Sequence, residues 1–139
     1  KKIAADGEGA KHLVTCTVSQ AKSVLEAETI AKSVIGSSLV KTAIFGSDAN
    51  WGRVICAMGY SGVEFDPNLV SIDFTSSVGK VEVCKEGKGL VFDETLAKQI
   101  LMEHDIEIEI SLNDGVEAVT AWGCDLSYDY VKINGDYRS

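Results

Sequence analysis

The sequence predicts an α/β (α+β) fold, a mixed-sheet sandwich with helices packed on the sheet, and three observations carry that prediction. Ile106, Ile108, Ile110 and Leu112 alternate with Glu107, Glu109 and Ser111, the pattern of a strand buried on one face and wet on the other. Ala21, Val24, Leu25, Ala31, Val34 and Ile35 recur instead at a helical spacing. The two patterns interleave along the chain, in the order β-α-β-α-β-β-(β)-α-β-β, rather than falling into separate blocks.

The first strand is read at His12 to Val18, β-branched and bounded by Gly9 and Ser19. A helix follows, with Ser19 as its expected cap and Gly36 as its close, and Glu28 interrupts its apolar stripe once. Leu39 to Phe45 is a second apolar segment, placed as a strand in that order. The polar stretch Gly46-Ser47-Asp48-Ala49-Asn50 then leads into a helix beginning at Trp51, with Val54, Ile55 and Met58 on one side, ending at Gly59 or Gly62.

Leu69 to Phe74 alternates, with Val70, Ile72 and Phe74 on one face. Val81 and Val83 form the next strand, and Gly87-Lys88-Gly89 marks a turn. Asp93 is the expected cap of a helix whose stripe is Leu96, Ala97, Ile100 and Leu101. After the isoleucine strand, Asn113-Asp114-Gly115 reads as a hairpin turn, with Val116 to Tyr130 returning as its partner. The six residues after Ile133 carry no alternation, yet they hold an Asn, an Asp, a Tyr, an Arg and a Ser. Such an end reads as one folded back to present polar groups.

All 139 residues are expected to form a single domain, large enough to bury a core. The formal charge of −8 opposes binding to phosphate backbones, and no basic stripe with interleaved aromatics occurs, so nucleic-acid binding is not expected. No apolar run reaches membrane-spanning length, and no secretory signal is visible. The start at Lys1-Lys2-Ile3, without a Met, reads as the interior of a longer polypeptide. Cys16, Cys56, Cys84 and Cys124 are far apart in sequence. That spacing suits neither a zinc site nor a disulfide scaffold, and points to buried free thiols in a reducing cytoplasm.

Several catalytic signatures are absent. Gly87-Lys88 lacks the upstream glycine of a phosphate-binding loop, since the residue five before Gly87 is Glu82. No G-x-S-x-G elbow occurs. Ser19, Ser38 and Ser77 each precede a Lys by three residues, but the companion motifs of that chemistry are missing. His12 and His104 read as packed or exposed side chains rather than as an acid or base.

Three polar constellations remain. Asp6-Gly7-Glu8-Gly9-Ala10 sets two carboxylates among glycines. It is either an exposed acidic turn or a place where backbone and carboxylate approach an ammonium group. Gly46 to Arg53 enters a helix. Its Asn50 and Arg53 would either hold a carboxylate or serve the helix, with Asp48 or Asn50 as cap and Arg53 as its ion-pair partner. Asn134 to Ser139 is either an ordered end packed through its tyrosines or a binding element, with the Asn134 amide and the Ser139 hydroxyl as its polar groups.

These stretches together resemble one family. Asp6 to Ala10, the Leu39 to Arg53 block with its Lys-Thr-Ala-Ile and Asp-Ala-Asn-Trp-Gly-Arg runs, Cys124-Asp125-Leu126 and the Asn134-Gly135-Asp136-Tyr137 ending resemble the ornithine acetyltransferases, also called glutamate N-acetyltransferases. The resemblance covers essentially the whole chain and corresponds to the C-terminal part of the β chain of those enzymes. It implies an N-terminal-nucleophile type acyltransferase of arginine biosynthesis, made as a precursor that cleaves itself before a Thr. That Thr takes the acetyl group of N-acetylornithine, forms an acyl-enzyme and passes the acetyl to glutamate, with an oxyanion hole stabilising the tetrahedral intermediates.

In the family the nucleophile and the oxyanion hole lie upstream of this region. None of Thr15, Thr17, Thr29, Thr42, Thr75, Thr95 and Thr120 is therefore promoted to nucleophile, no catalytic residue is expected within these residues, and the fragment alone is expected to be inactive. The resemblance carries over the substrate side: Glu8 matches the family's active-site Glu, and Asn134 and Ser139 match its substrate-binding Asn and terminal Ser or Thr. It implies no metal and no cofactor, with acetyl-CoA as a further acetyl donor to be considered. Its partners would be the α chain and the remainder of the β chain, assembled as αβ units in a cytoplasmic enzyme acting on N-acetylornithine, ornithine and glutamate. Two other classes stay open: a related N-terminal-nucleophile aminopeptidase or amidase, and a non-catalytic ligand-binding domain.

Overall fold

A computed structural model describes residues 12–124 and the backbone of 129–133. Its centre is a seven-stranded mixed sheet: β1 (Leu13–Ala21), β2 (Ser71–Ser76), β3 (Gly79–Lys85), β4 (Lys88–Gly89), β5 (Asp105–Ser111), β6 (Glu117–Cys124) and β7 (Asp129–Ile133). The strands lie in the order β4-β3-β2-β5-β1-β6-β7. The pair β1/β5 is parallel, and every other neighbouring pair is antiparallel. Four α-helices and one short 3-10 helix, Pro67–Leu69, complete the described fold: α1 (Val24–Gly36), α2 (Ser38–Phe45), α3 (Trp51–Tyr60) and α4 (Glu94–Leu101).

The register places Phe74, Ile108, Cys16 and Ala121 in one row across four strands. All four are buried, and the same face continues through Val81, Val83 and Ile72. Against it lie Ile30, Ala31 and Val34 of α1, Val54, Ala57 and Met58 of α3, and Ala97, Ile100 and Leu101 of α4, in one continuous cluster. Each fully buried Ile, Val or Phe contributes roughly 1.5–3 kcal/mol through the water it sheds, and this layer holds the helices on a single side of the sheet.

The helix starts follow from local chemistry. Ser23, not Ser19, caps α1, its hydroxyl accepting from the Glu26 N–H at 3.1 Å. The strand runs on past Ser19 through an irregularity at Gln20, whose φ is 53°. Asp93 caps α4 as expected, accepting from the N–H groups of Thr95 and Leu96. Leu39 to Phe45 is helical, contrary to the strand expectation. Ser37 caps it, its hydroxyl accepting from the Val40 N–H, and Val40, Ala43 and Ile44 face inward at helical spacing. A short apolar run fits either period, and here the cap decided it.

The hairpin expected at Asn113-Asp114-Gly115 is also corrected. Strands β5 and β6 are not neighbours, because β1 lies between them, parallel to one and antiparallel to the other. The connection instead crosses the end of β1, with the Leu112 N–H donating to the Ser19 carbonyl and the Asp114 N–H to the Gln20 carbonyl. It passes so close that a Cβ at Gly115 would stand 2.1 Å from the Ala21 carbonyl oxygen. The expected partner strand, Val116 to Tyr130, is two strands, β6 and β7.

Candidate functional site

Glu8, Asn134 and Ser139 all lie outside the described residues. The elements that carry the chain toward them are described. Leu13, at the start of β1, stands opposite Cys124, and Ile133, at the end of β7, stands opposite Val119. These two points of β6 are five residues apart, or about 17 Å of strand. The Glu8 side and the Asn134 side of the chain therefore join the sheet at opposite ends of the same three strands.

The loop from Gly46 to Arg53 is a joint between α2 and α3. Ser47 adopts a φ of 55°, which reverses the chain after α2. The Asp48 N–H donates to the Ala43 carbonyl at 2.8 Å, tying the loop back onto that helix. Asn50 then caps α3: its Oδ1 accepts from the Arg53 N–H at 3.0 Å while its Nδ2 donates to Asp48 Oδ2 at 3.2 Å. Arg53 does not pair with Asp48 among the described residues. Its Nη1 donates to the Leu39 carbonyl at 2.9 Å, linking the start of α3 to the start of α2. Trp51 covers Gly89, where a Cβ would meet the indole at 2.6 Å. The polar residues of this motif thus satisfy backbone groups at helix ends, which is the capping role of the two read from the sequence.

The sequence reading did not single out the face of the sheet opposite the helices. Two rows of polar side chains cross it. One runs Glu82, Asp73, Glu109, Thr17 and Thr120, and the other Lys80, Thr75, Glu107 and Thr15. Lys80 bridges the carboxylates, with its Nζ 3.3 Å from Asp73 and 3.2 Å from Glu109. Thr17 donates to Glu107 Oε2 at 3.2 Å and shares a hydrogen bond of 3.2 Å with Thr120.

Partial burial on this face raises the Glu107 carboxyl above its ordinary value, and the neighbouring Glu109 charge adds to the effect. Burial likewise raises Asp73, outweighing the opposing pull of Lys80. The Lys80 ammonium is itself raised by its bonds to Glu109 and Asp73. Two grooves open here. One of about 480 Å³ includes Thr15, Thr75 and Glu107 in its walls, and one of about 210 Å³ is walled by Thr17, Asp73 and Glu109 among others. The signal for this face was present in the strict alternation of β5; what was missing was the strand order that gathers Asp73 and Lys80 beside it.

His12 is buried and its Nδ1 lies 2.9 Å from the Glu103 carbonyl, while His104 is exposed with Nδ1 2.7 Å from Asp105 Oδ1. Cys16, Cys84 and Cys124 are buried free thiols, whereas Cys56 is exposed on α3, contrary to expectation. Burial pushes the Cys16 thiol far above its ordinary range, which keeps it protonated and unreactive. Among the described residues, no cluster of three His, Cys, Asp or Glu could hold a metal ion, and no helix is long and apolar enough to cross a membrane.

The ArgJ family matches residues 1–139 in full. This chain belongs to the ArgJ family. It is 58% identical over 139 residues to the arginine biosynthesis bifunctional protein ArgJ 1 of Clostridium acetobutylicum, covering 100% of this chain and 34% of that protein. It is 53% identical over 137 residues to the arginine biosynthesis bifunctional protein ArgJ of Caldanaerobacter subterraneus subsp. tengcongensis, covering 99% of this chain and 34% of that one. The crystal structure of arginine biosynthesis bifunctional protein argJ from Bacillus halodurans superposes with a TM-score of 0.82 at 43% identity, over 94% of this chain and 60% of that chain. The chain thus spans about a third of the length of these curated ArgJ relatives. The mixed sheet with its helices on one face is the fold of this part of an ArgJ protein.

Proposed function

We propose that these residues are part of an acetyltransferase of arginine biosynthesis, which moves the acetyl group of N-acetylornithine to glutamate. The observation that carries the reading is the match of the ArgJ family to all 139 residues, supported by 58% identity to a protein named for arginine biosynthesis. In this reading the chain is the C-terminal portion of a β chain, acts with the rest of the same precursor, and lacks the nucleophile.

The chemistry proceeds in two acyl transfers. The hydroxyl oxygen of a Thr outside these residues attacks the acetyl carbonyl of N-acetylornithine. The C–N bond breaks, ornithine leaves with the proton on its amine, and an acetyl ester remains on the Thr. The α-amine of glutamate then attacks that ester, the C–O bond breaks, and the proton returns to the Thr oxygen. Within this chain Glu8 supplies an anion for the ammonium group of ornithine, and Asn134 and Ser139 supply amide and hydroxyl contacts to the substrate.

The test is acetyl transfer by the complete polypeptide, with the acetyl group of N-acetylornithine isotopically labelled. The label is expected to pass through an acetylated protein chain, visible by intact mass, and to arrive on glutamate far faster than on water. Release of acetate at the same rate with and without glutamate would make the protein a hydrolase and contradict the proposal.

A further inference from the structure

We infer that the polar face of the sheet is an internal docking surface, covered in the complete protein by a segment of the same polypeptide outside residues 1–139 that presents Lys, Arg or amide donors. This rests on the reading of the chain as part of a longer ArgJ polypeptide.

The first support is one-sidedness. All four described α-helices pack on the face of Cys16, Ile108 and Phe74, and no described α-helix covers the opposite face. Five strands of up to nine residues contribute to that opposite face. At about 4.8 Å between strands and about 3.3 Å per residue, this is roughly 500 Å² in projection, a large part of the about 800 Å² that one partner contributes to a standard interface. Its grooves of about 480 and 210 Å³ give it relief into which side chains can fit.

The second support is chemical. Thr75 Oγ1 is shielded from solvent and has no hydrogen-bond partner among the described residues, at the wall of the larger groove. A hydroxyl stranded in that way costs free energy until a donor or acceptor reaches it. Glu82, Asp73, Glu109 and Glu107 set four carboxylates on this face beside the Lys80 ammonium, and Lys132, paired with Thr120 at the end of the same row, still leaves the acidic groups in excess. Two copies docked through this face would bring acidic rows together, in chains that each carry a net charge of −8, so the charge disfavours a second copy and favours a cationic surface. The third support is length: the curated relatives are about three times as long as this chain, so polypeptide is present to cover the face.

The experiment is carboxylate footprinting of the complete polypeptide, using a carbodiimide with glycine ethyl ester and reading each site by peptide mass. Glu82 is exposed here, as are the references Glu64, on a loop, and Glu94, on the helical side. Glu82 is expected to label several-fold more slowly than Glu64 and Glu94, and to become equal to them on denaturation. Equal labelling in the native protein would overturn the inference. So would protection that disappears on dilution to the monomer, since the occupant would then be a second copy. The readout does not involve acetyl transfer, so failure of that activity in the same preparation would count against the proposed function and not against the docking surface.

Discussion

At the residue scale, single atoms decide which polar groups are available for chemistry and which are committed to structure. The Asn50 amide accepts from the Arg53 N–H and donates to Asp48, so both of its ends are engaged in holding the start of α3. Replacing it with Ala is expected to cost about 1 kcal/mol of stability, as loss of a helix cap usually does. Thermal unfolding would show this, and an unchanged midpoint would deny the capping role. Gly115 is committed more tightly, since a Cβ there would fall 2.1 Å from backbone. Gly115→Ala must therefore move the crossing loop or the end of β1, and is expected to destabilise by more than the Asn50 change. Glu107 is different, because its carboxyl is raised by burial and by Glu109. A carboxyl whose folded value lies above its unfolded one contributes stability in full at low pH and loses it as pH rises through the folded value. Glu107→Gln keeps an acceptor for Thr17 and removes that loss. Its melting temperature relative to the parent chain should therefore climb from mildly acidic to neutral pH, and a difference independent of pH would contradict the assignment.

At the scale of elements, what could be read from the sequence was what is encoded locally. The isoleucine–glutamate alternation of β5, the Asp93 cap of α4 and the helix beginning at Trp51 were all legible, because each pattern is complete within a few residues. The errors share one cause. Asn113-Asp114-Gly115 has the composition of a hairpin turn, but a turn motif cannot reveal that a strand from the far end of the sequence, β1, inserts between its two arms. Leu39 to Phe45 is too short for its apolar spacing to separate helix from strand, and Ser37, which settles the matter, looks in sequence like any serine in a loop. The acidic face is a non-local product of the same topology, because Asp73 and Lys80 meet Glu109 only once β2 has paired with β5.

At the scale of the whole molecule, the candidate site was legible through resemblance rather than physics. Nothing in the local chemistry of Glu8 among its glycines, or of Asn134 after Ile133, separates a substrate contact from an ordinary turn or end. The matching blocks in order along the chain, and the family that spans all 139 residues, are what raise them to candidates. The sheet adds what the sequence did not hold: the described chain enters β1 at Leu13, opposite Cys124, and leaves β7 at Ile133, opposite Val119, at the other end of the intervening strand β6. Whether Glu8 and Asn134 serve the substrate is decided by kcat/KM for acetyl transfer from N-acetylornithine to glutamate by the complete polypeptide carrying Glu8→Ala or Asn134→Ala. Each substitution is expected to lower it by at least about tenfold, equivalent to about 1.4 kcal/mol of transition-state stabilisation. If both variants kept the parent value with an unchanged fold, neither residue would serve the substrate and the account of this site would be wrong.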